Sequence, residues 1–108
     1  GGTYTKTPMN DGTGRSVLRQ EFSLEVQPDG GGAATVTFPI ACSEVPNVSV
    51  SGSQELPSGA GGVAVSVRKN AAGTGVGTTT TNVPLYFWWS GGTSTRASMV
   101  SLIVEGIA

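Results

Sequence analysis

The segment SVLRQEFSLEV, residues 16–26, alternates apolar and polar side chains with a period of two. The apolar positions are Leu18, Phe22, Leu24 and Val26, and the polar positions are Arg19, Glu21, Ser23 and Glu25. Successive side chains of a strand point to opposite faces, so this alternation predicts a strand with one dry face and one wet face. Asp29 and the three glycines that follow it predict a turn, because glycine adopts positive φ without steric cost.

Five further segments are typical of strands: residues 34–42, 47–51, 63–69, 83–90 and 99–108. Pro39 interrupts the first of them and has no amide hydrogen to donate, so that strand is predicted at a sheet edge or with a bulge. The chain holds 17 glycines and six prolines and has few contiguous helix formers, which argues against an all-α fold. The sequence therefore predicts an all-β, six-stranded antiparallel β-sandwich.

The last two predicted strands carry apolar side chains on both faces. Leu85 and Phe87 share one face of residues 83–90, while Tyr86 and Trp88 share the other. In residues 99–108, one face carries Met99, Ile103 and Ile107, and the other face carries a second row of apolar side chains. Because one core covers only one face of a strand, the second row predicts an oligomer interface or a ligand platform formed by Tyr86, Trp88, Met99, Ile103 and Ile107.

The chain length of 108 residues fits a single domain. Residues 1–15 are polar, rich in turn formers and without sustained periodicity, so they are interpreted as a linker or N-terminal arm, and residues 16–108 as the domain. The chain starts Gly1-Gly2 without Met, so we expect it to be either an excised fragment or a processed product of a longer protein. If consecutive strands alternate in direction, the turn at Asp29 and the loops at residues 53–62 and 91–98 meet at one end of the sandwich.

Composition argues against several classes of function. Six basic and seven acidic residues leave a net charge of −1, which gives no cationic patch for nucleic acid, and no apolar run approaches the length needed for membrane insertion. The chain has no histidine and one cysteine, so it has no Ser-His or Cys-His arrangement and no intrachain disulfide. Cys42 shares the parity of the apolar residues in its segment and is predicted to be buried. We expect no catalysis, no metal and no cofactor.

The stretch from Tyr86 to Arg96 (YFWWSGGTSTR) is the strongest functional signal in the sequence. Aromatic rings offer flat apolar faces to the C–H surface of a sugar, and Arg, Ser and Thr side chains supply hydrogen-bond donors. Trp89 lies at the end of its strand beside a polar loop. The predicted carbohydrate-binding residues are Trp89, Ser90 and Arg96.

Two stretches resemble a known family. The run ATVTFPIA at residues 34–41, followed by VPNVSV at residues 45–50, is similar to the opening strands of H-type lectin domains and of the C-terminal domains of bacteriophage tail fibres. Residues 104–108 (VEGIA) resemble the closing strand of such domains, although Val104 stands where the family commonly has Trp. The resemblance implies a homotrimeric sandwich that binds glycans near its subunit boundaries, with Trp89 and Ser90 in the place of an aromatic-Ser pair and Arg96 in that of a basic residue.

The leading hypothesis is a virion protein: a phage tail-fibre or receptor-binding tip domain, extracellular and homotrimeric. It would recognise a host surface polysaccharide or lipopolysaccharide and contact other virion proteins through its N-terminal side. The alternative is a structural virion module, a decoration or fibre-joining domain without glycan binding. An enzyme that degrades polysaccharide is a third possibility and would need a carboxylate pair assembled between subunits.

Overall fold

The computed structural model describes residues 2–55, 63–67, 77–89 and 92–108, which form eight strands in two antiparallel sheets. The strands are β1 (Gly2–Pro8), β2 (Ser16–Val26), β3 (Ala33–Thr37), β4 (Asn47–Glu55), β5 (Ala64–Val67), β6 (Asn82–Trp89), β7 (Gly92–Thr93) and β8 (Ser98–Ile107). Sheet A has the order β1-β2-β8-β4, and sheet B has the order β3-β6-β5 with the short β7 paired to β6. No apolar helix of bilayer-spanning length occurs in these residue ranges.

The two sheets enclose one hydrophobic core. Its sheet A members are Leu18, Phe22, Val26, Val100, Leu102 and Val104, and its sheet B members are Val36, Val83, Leu85 and Phe87. The connecting segments add Phe38, Cys42 and Val63. The predicted all-β antiparallel sandwich is confirmed. The described residues contain eight strands rather than the six predicted, and the two additional strands are β1 and β7.

The N-terminal segment, interpreted as a linker or arm, contains β1. Residues Gly2–Pro8 pair antiparallel with β2 over their whole length, yet every side chain in β1 is exposed. Backbone hydrogen bonds, and not the burial of side chains, therefore hold this strand in the sheet. Its sequence does not alternate apolar and polar residues, so the pattern did not predict a strand. The division into an arm of residues 1–15 and a domain of residues 16–108 remains a prediction.

Two strand ends differ from the sequence prediction. β3 ends at Thr37 rather than residue 42, because Pro39 cannot donate a ladder bond, and beyond it the amides of Phe38 and Cys42 donate to the carbonyl groups of Thr81 and Thr80. β3 lies at the edge of sheet B, as Pro39 predicted. β4 extends past residue 51 to Glu55, with an irregularity in its pairing to β8 between Val50 and Gly52.

A buried glutamine holds the segment that follows β3. Gln20 is on the core face of β2 and only 1% exposed, and its side-chain amide donates to the Ile40 carbonyl oxygen at 2.9 Å. The Ile40 amide in turn donates to Gln20 Oε1, also at 2.9 Å. This bidentate bond satisfies a buried polar side chain and replaces the ladder pairing that ends at Thr37.

The β2–β3 turn depends on Gly32. The Asp29 carboxylate accepts hydrogen bonds from the amides of Gly31 and Ala33, at 2.8 and 3.0 Å, and the Gly32 amide donates to the Asp29 carbonyl oxygen at 3.0 Å. Gly32 has a φ of 76°, and a Cβ at this position would lie 2.7 Å from the Phe87 carbonyl oxygen and 2.5 Å from Thr93 Cγ2. Both the backbone angle and the close approach therefore require glycine.

We predict that Gly32→Ala destabilises the domain by about 2–4 kcal/mol, since left-handed strain and overpacking add together. Two matched variants separate these causes. Gly12→Ala carries the strain alone, because its φ is 82° and nothing lies within 4 Å of the new Cβ, and Gly30→Ala carries neither. Chemical denaturation followed by circular dichroism measures all three, and equal stabilities for Gly32→Ala and Gly30→Ala would contradict the analysis.

Candidate functional site

The candidate site lies at the end of the sandwich where β2 ends and β8 begins. Val26 pairs with Ser98 in the sheet A register, and the chain enters β8 from the segment at residues 92–97. The Gln27 side-chain amide donates to the Thr95 carbonyl oxygen at 2.7 Å and so joins the β2–β3 turn to this segment. The expected meeting of the Asp29 turn with residues 92–98 is confirmed, while residues 56–62 and 90–91 of the predicted loops lie outside the described ranges.

Two adjacent tryptophans end β6. Trp88 pairs with Thr93 of β7 and Trp89 pairs with Gly92, and the Ser94 amide continues the hairpin by donating to the Phe87 carbonyl oxygen at 3.0 Å. Trp88 is 44% exposed and Trp89 is 51% exposed, and as neighbours in a strand they point to opposite sides of sheet B. Two large indole groups are thus presented to solvent on backbone that the hairpin holds.

Tyr86 is fixed beside them. Its side chain is half-buried, and its hydroxyl group shares a 2.9 Å hydrogen bond with the Thr93 hydroxyl group. A Cβ on Gly32 would lie 3.2 Å from Tyr86 Cε1, so the glycine turn packs against the tyrosine ring. The position of Tyr86 therefore depends on both β7 and the β2–β3 turn.

Arg96 lies on the segment that crosses from sheet B to sheet A. Its side chain is exposed, and its carbonyl oxygen accepts a 3.2 Å hydrogen bond from the Ser98 hydroxyl group. Ser98 is fully buried and Ser94 is 2% exposed, so two buried serines support the segment. Sequence reasoning missed both serines, because a Ser in a polar loop carries no signal for burial.

The predicted carbohydrate-binding residues are only partly described. Trp89 and Arg96 belong to the connected end formed by the β6–β7 hairpin and the crossing segment. Ser90 lies outside the described residues. Trp88, predicted as an interface or platform residue, is exposed to almost the same extent as Trp89.

The five predicted interface or platform residues do not form one surface. Tyr86 and Trp88 lie on the outer face of sheet B, because Leu85 and Phe87 occupy its core face. Met99, Ile103 and Ile107 lie on the outer face of sheet A, where Met99 is 39% exposed and the two isoleucines are half-buried. The whole core separates the two sets.

The outer face of sheet A is charged as well as apolar. Arg19 forms ion pairs with Glu21 at 2.7 Å and with Glu105 at 3.2 Å. The hydrogen bond to Glu21 raises the pKa of Arg19, so the guanidinium group stays charged. Exposed pairs of this kind contribute little to stability, but they place charges next to Ile103 and Ile107.

The described residues hold no group of three or more Cys, Asp or Glu side chains that could bind a metal ion. Cys42 is buried, as predicted, and desolvation raises the pKa of its thiol. A raised pKa keeps a thiol protonated at neutral pH, and the protonated form is a poor nucleophile.

No family model matches the chain, and neither a curated protein nor a solved structure shows significant similarity to it.

We predict that Cys42 of the native protein reacts slowly with a thiol reagent such as Ellman's reagent at neutral pH. The reaction should accelerate strongly in denaturant, because unfolding removes the burial that raises the thiol pKa. A native rate close to that of the denatured chain would contradict this placement of Cys42.

Proposed function

We propose that this domain is a receptor-binding module that recognises a host cell-surface glycan without catalysis, in the manner of a phage tail-fibre tip. The observation that carries the proposal is the exposure of Trp89 on the β6–β7 hairpin, at the same end of the sandwich as Arg96. The resemblance to H-type lectin domains supports the same assignment. Trp89 supplies the stacking surface, and Arg96 and Ser90 supply donors to sugar hydroxyl groups.

The exposure of Trp89 supports a ligand at this end of the domain. Burial of an aromatic side chain in the core would stabilise the fold, but Trp89 lies outside the core and leaves its ring accessible to a ligand. The hairpin restricts the backbone that carries the ring, so binding immobilises little additional chain. A site of this kind gains affinity from a pre-formed aromatic surface with a few donors at its border.

The homotrimer that the resemblance implies belongs to the same proposal. A cyclic trimer uses heterologous contacts, in which different parts of each copy meet. Met99, Ile103 and Ile107 are the residues that we propose for these contacts, because they form the apolar part of the outer face of sheet A.

A structural module that joins other virion proteins is the second candidate, and the position of β1 at the edge of sheet A among the described strands favours it. The Met9 amide donates to the Arg15 carbonyl oxygen, so the odd residues of β1 bond to β2 and the amides of Gly2, Tyr4 and Lys6 point away from the sheet. Beside this edge is a groove of about 480 Å³. It is lined partly by Tyr4, Phe22, Leu24, Pro39 and Ile40. An extended strand of another protein with an apolar side chain fits this combination.

Trp89→Ala and Arg96→Ala should each weaken glycan binding by at least about tenfold, as removal of a central aromatic or Arg contact typically does. Tyr4→Ala is the matched control, since Tyr4 is an aromatic residue, 59% exposed, on the far edge of sheet A. A glycan array identifies the ligand, and titration calorimetry with that glycan compares the variants. Unchanged affinity in both site variants would overturn the site, and absence of any glycan ligand would favour the structural module.

Native mass spectrometry should give three copies of the chain. Ile103→Glu should dissociate them, because the new carboxylate would be buried at the contact opposite Glu21, which carries the same charge. Thr35→Glu, an exposed position in sheet B, is the control and should leave three copies. A single copy of the unmodified chain contradicts the trimer.

A further inference from the structure

We propose that the outer face of sheet B is a second glycan-binding surface, which takes a neutral, extended polysaccharide chain along β6. The inference rests on the proposed function in that its ligand is a glycan. It concerns a face of the sandwich distinct from the Trp89 and Arg96 end and names the ligand class. Trp88, which is 44% exposed, is the most accessible ring of this surface.

The side chains of this face follow from the strand register. In β6 they are Asn82, Pro84, Tyr86 and Trp88, and the residues opposite them are Ala33, Thr35 and Thr37 of β3, Ala64 and Ser66 of β5, and Thr93 of β7. None of these described residues is charged. The outer face of sheet A, by contrast, carries Arg19, Glu21, Glu25 and Glu105.

The rings form a row that is flanked by small side chains. Pro84, Tyr86 and Trp88 alternate along one face of β6, so the row is about 13 Å long from the first to the last Cα atom. Alanine and serine lie opposite Tyr86, and alanine and threonine lie opposite Trp88. Because the described side chains that flank Tyr86 and Trp88 are no larger than threonine, an extended ligand can reach both rings.

The row is also partly pre-organised. The hydroxyl groups of Tyr86 and Thr93 share a hydrogen bond at 2.9 Å, and the β6–β7 pairing places Thr93 opposite Trp88. One contact therefore links the tyrosine ring to the strand that flanks the tryptophan. A ligand that lies along the row meets side chains whose freedom is already reduced.

The polar groups of this face select a neutral sugar. Thr35, Thr37 and Ser66 are exposed and can both donate hydrogen bonds to sugar hydroxyl groups and accept them. A uronic acid or a phosphorylated sugar would place a charge on a face that supplies no cation among its described residues, and it would lose solvation without a partner. We therefore expect neutral chains to bind and anionic chains to bind weakly or not at all.

A second copy of the chain fits this face less well. The centres of protein interfaces are depleted in Ser and Ala, and those residues flank the rings here. Large apolar side chains that could interlock with a partner are confined to the single row in β6. The composition of an aromatic row bordered by hydroxyl groups is that of a surface for sugars.

The test is titration of the full chain with soluble neutral polysaccharides, such as a glucan, a mannan and a galactan, and with hyaluronan and alginate as anionic probes. At least one neutral chain should bind, and Trp88→Ala should weaken it by at least about tenfold. Trp88→Phe keeps a ring and should retain most of the affinity. Val45→Ala, at an exposed apolar position in the segment before β4, is the matched control, and thermal unfolding checks that each variant is folded.

The outcomes separate the two glycan sites. Loss of neutral-chain binding in Trp88→Ala, with full binding in Trp89→Ala and Arg96→Ala, supports the sheet B surface, and the end site is then decided separately by titration with the glycan that the array identifies. The reverse pattern overturns the sheet B surface and leaves the end site standing. An anionic chain that binds as tightly as the neutral chains, and loses affinity in Trp88→Ala, would overturn the neutral ligand class. If no polysaccharide binds, the whole inference is overturned.

Discussion

The hydrophobic core between the inner faces of the two sheets is the constraint on which the rest of this structure depends. Leu85 and Phe87 on one sheet and Leu102 and Val104 on the other are fully or almost fully buried. Each such side chain contributes about 1.5–3 kcal/mol when removed from water. In a small domain without a disulfide, burial of such side chains is the main source of stability.

The choice of inner face in these two strands decides the chemistry of both outer surfaces. Once Phe87 is inside, Trp88 is on the outer face of sheet B and Trp89 lies beyond the end of the core, at the hairpin. In β8 the same choice places Ile103 outside, beside the ion pairs of Arg19. The two faces therefore differ: sheet B presents rings and hydroxyl groups, and sheet A presents charges with a minority of apolar side chains. Core packing and the composition of the two outer faces therefore depend on the same strands.

Polar contacts at the connections hold these surfaces in place. Gly32 lets the β2–β3 turn approach Tyr86 and Thr93, and Gln27 joins the same turn to the segment that carries Arg96. Gln20 bonds to both backbone groups of Ile40, where the ladder of β3 has ended. None of the buried side-chain polar atoms in the described ranges lacks a hydrogen-bond partner. The cost of burying these groups is therefore offset.

The sequence alone determined the class of structure, the dry face of β2 and the burial of Cys42, because a period of two states which side chains share a face. Pro39 left an edge position and a bulge open for β3, and the structure shows the edge position. The sequence also singled out Trp88 and Trp89 by their residue type. Only the tertiary structure decided which face of β6 and of β8 packs in the core. Both faces of these strands carry apolar side chains, so a period of two fits either choice. The tertiary structure also decided the existence of β1, whose side chains are all exposed and whose pairing comes from backbone bonds that every sequence can make. The inward position of Gln20 and the support of Arg96 by buried serines likewise depend on partners distant in the chain, which local patterning does not encode.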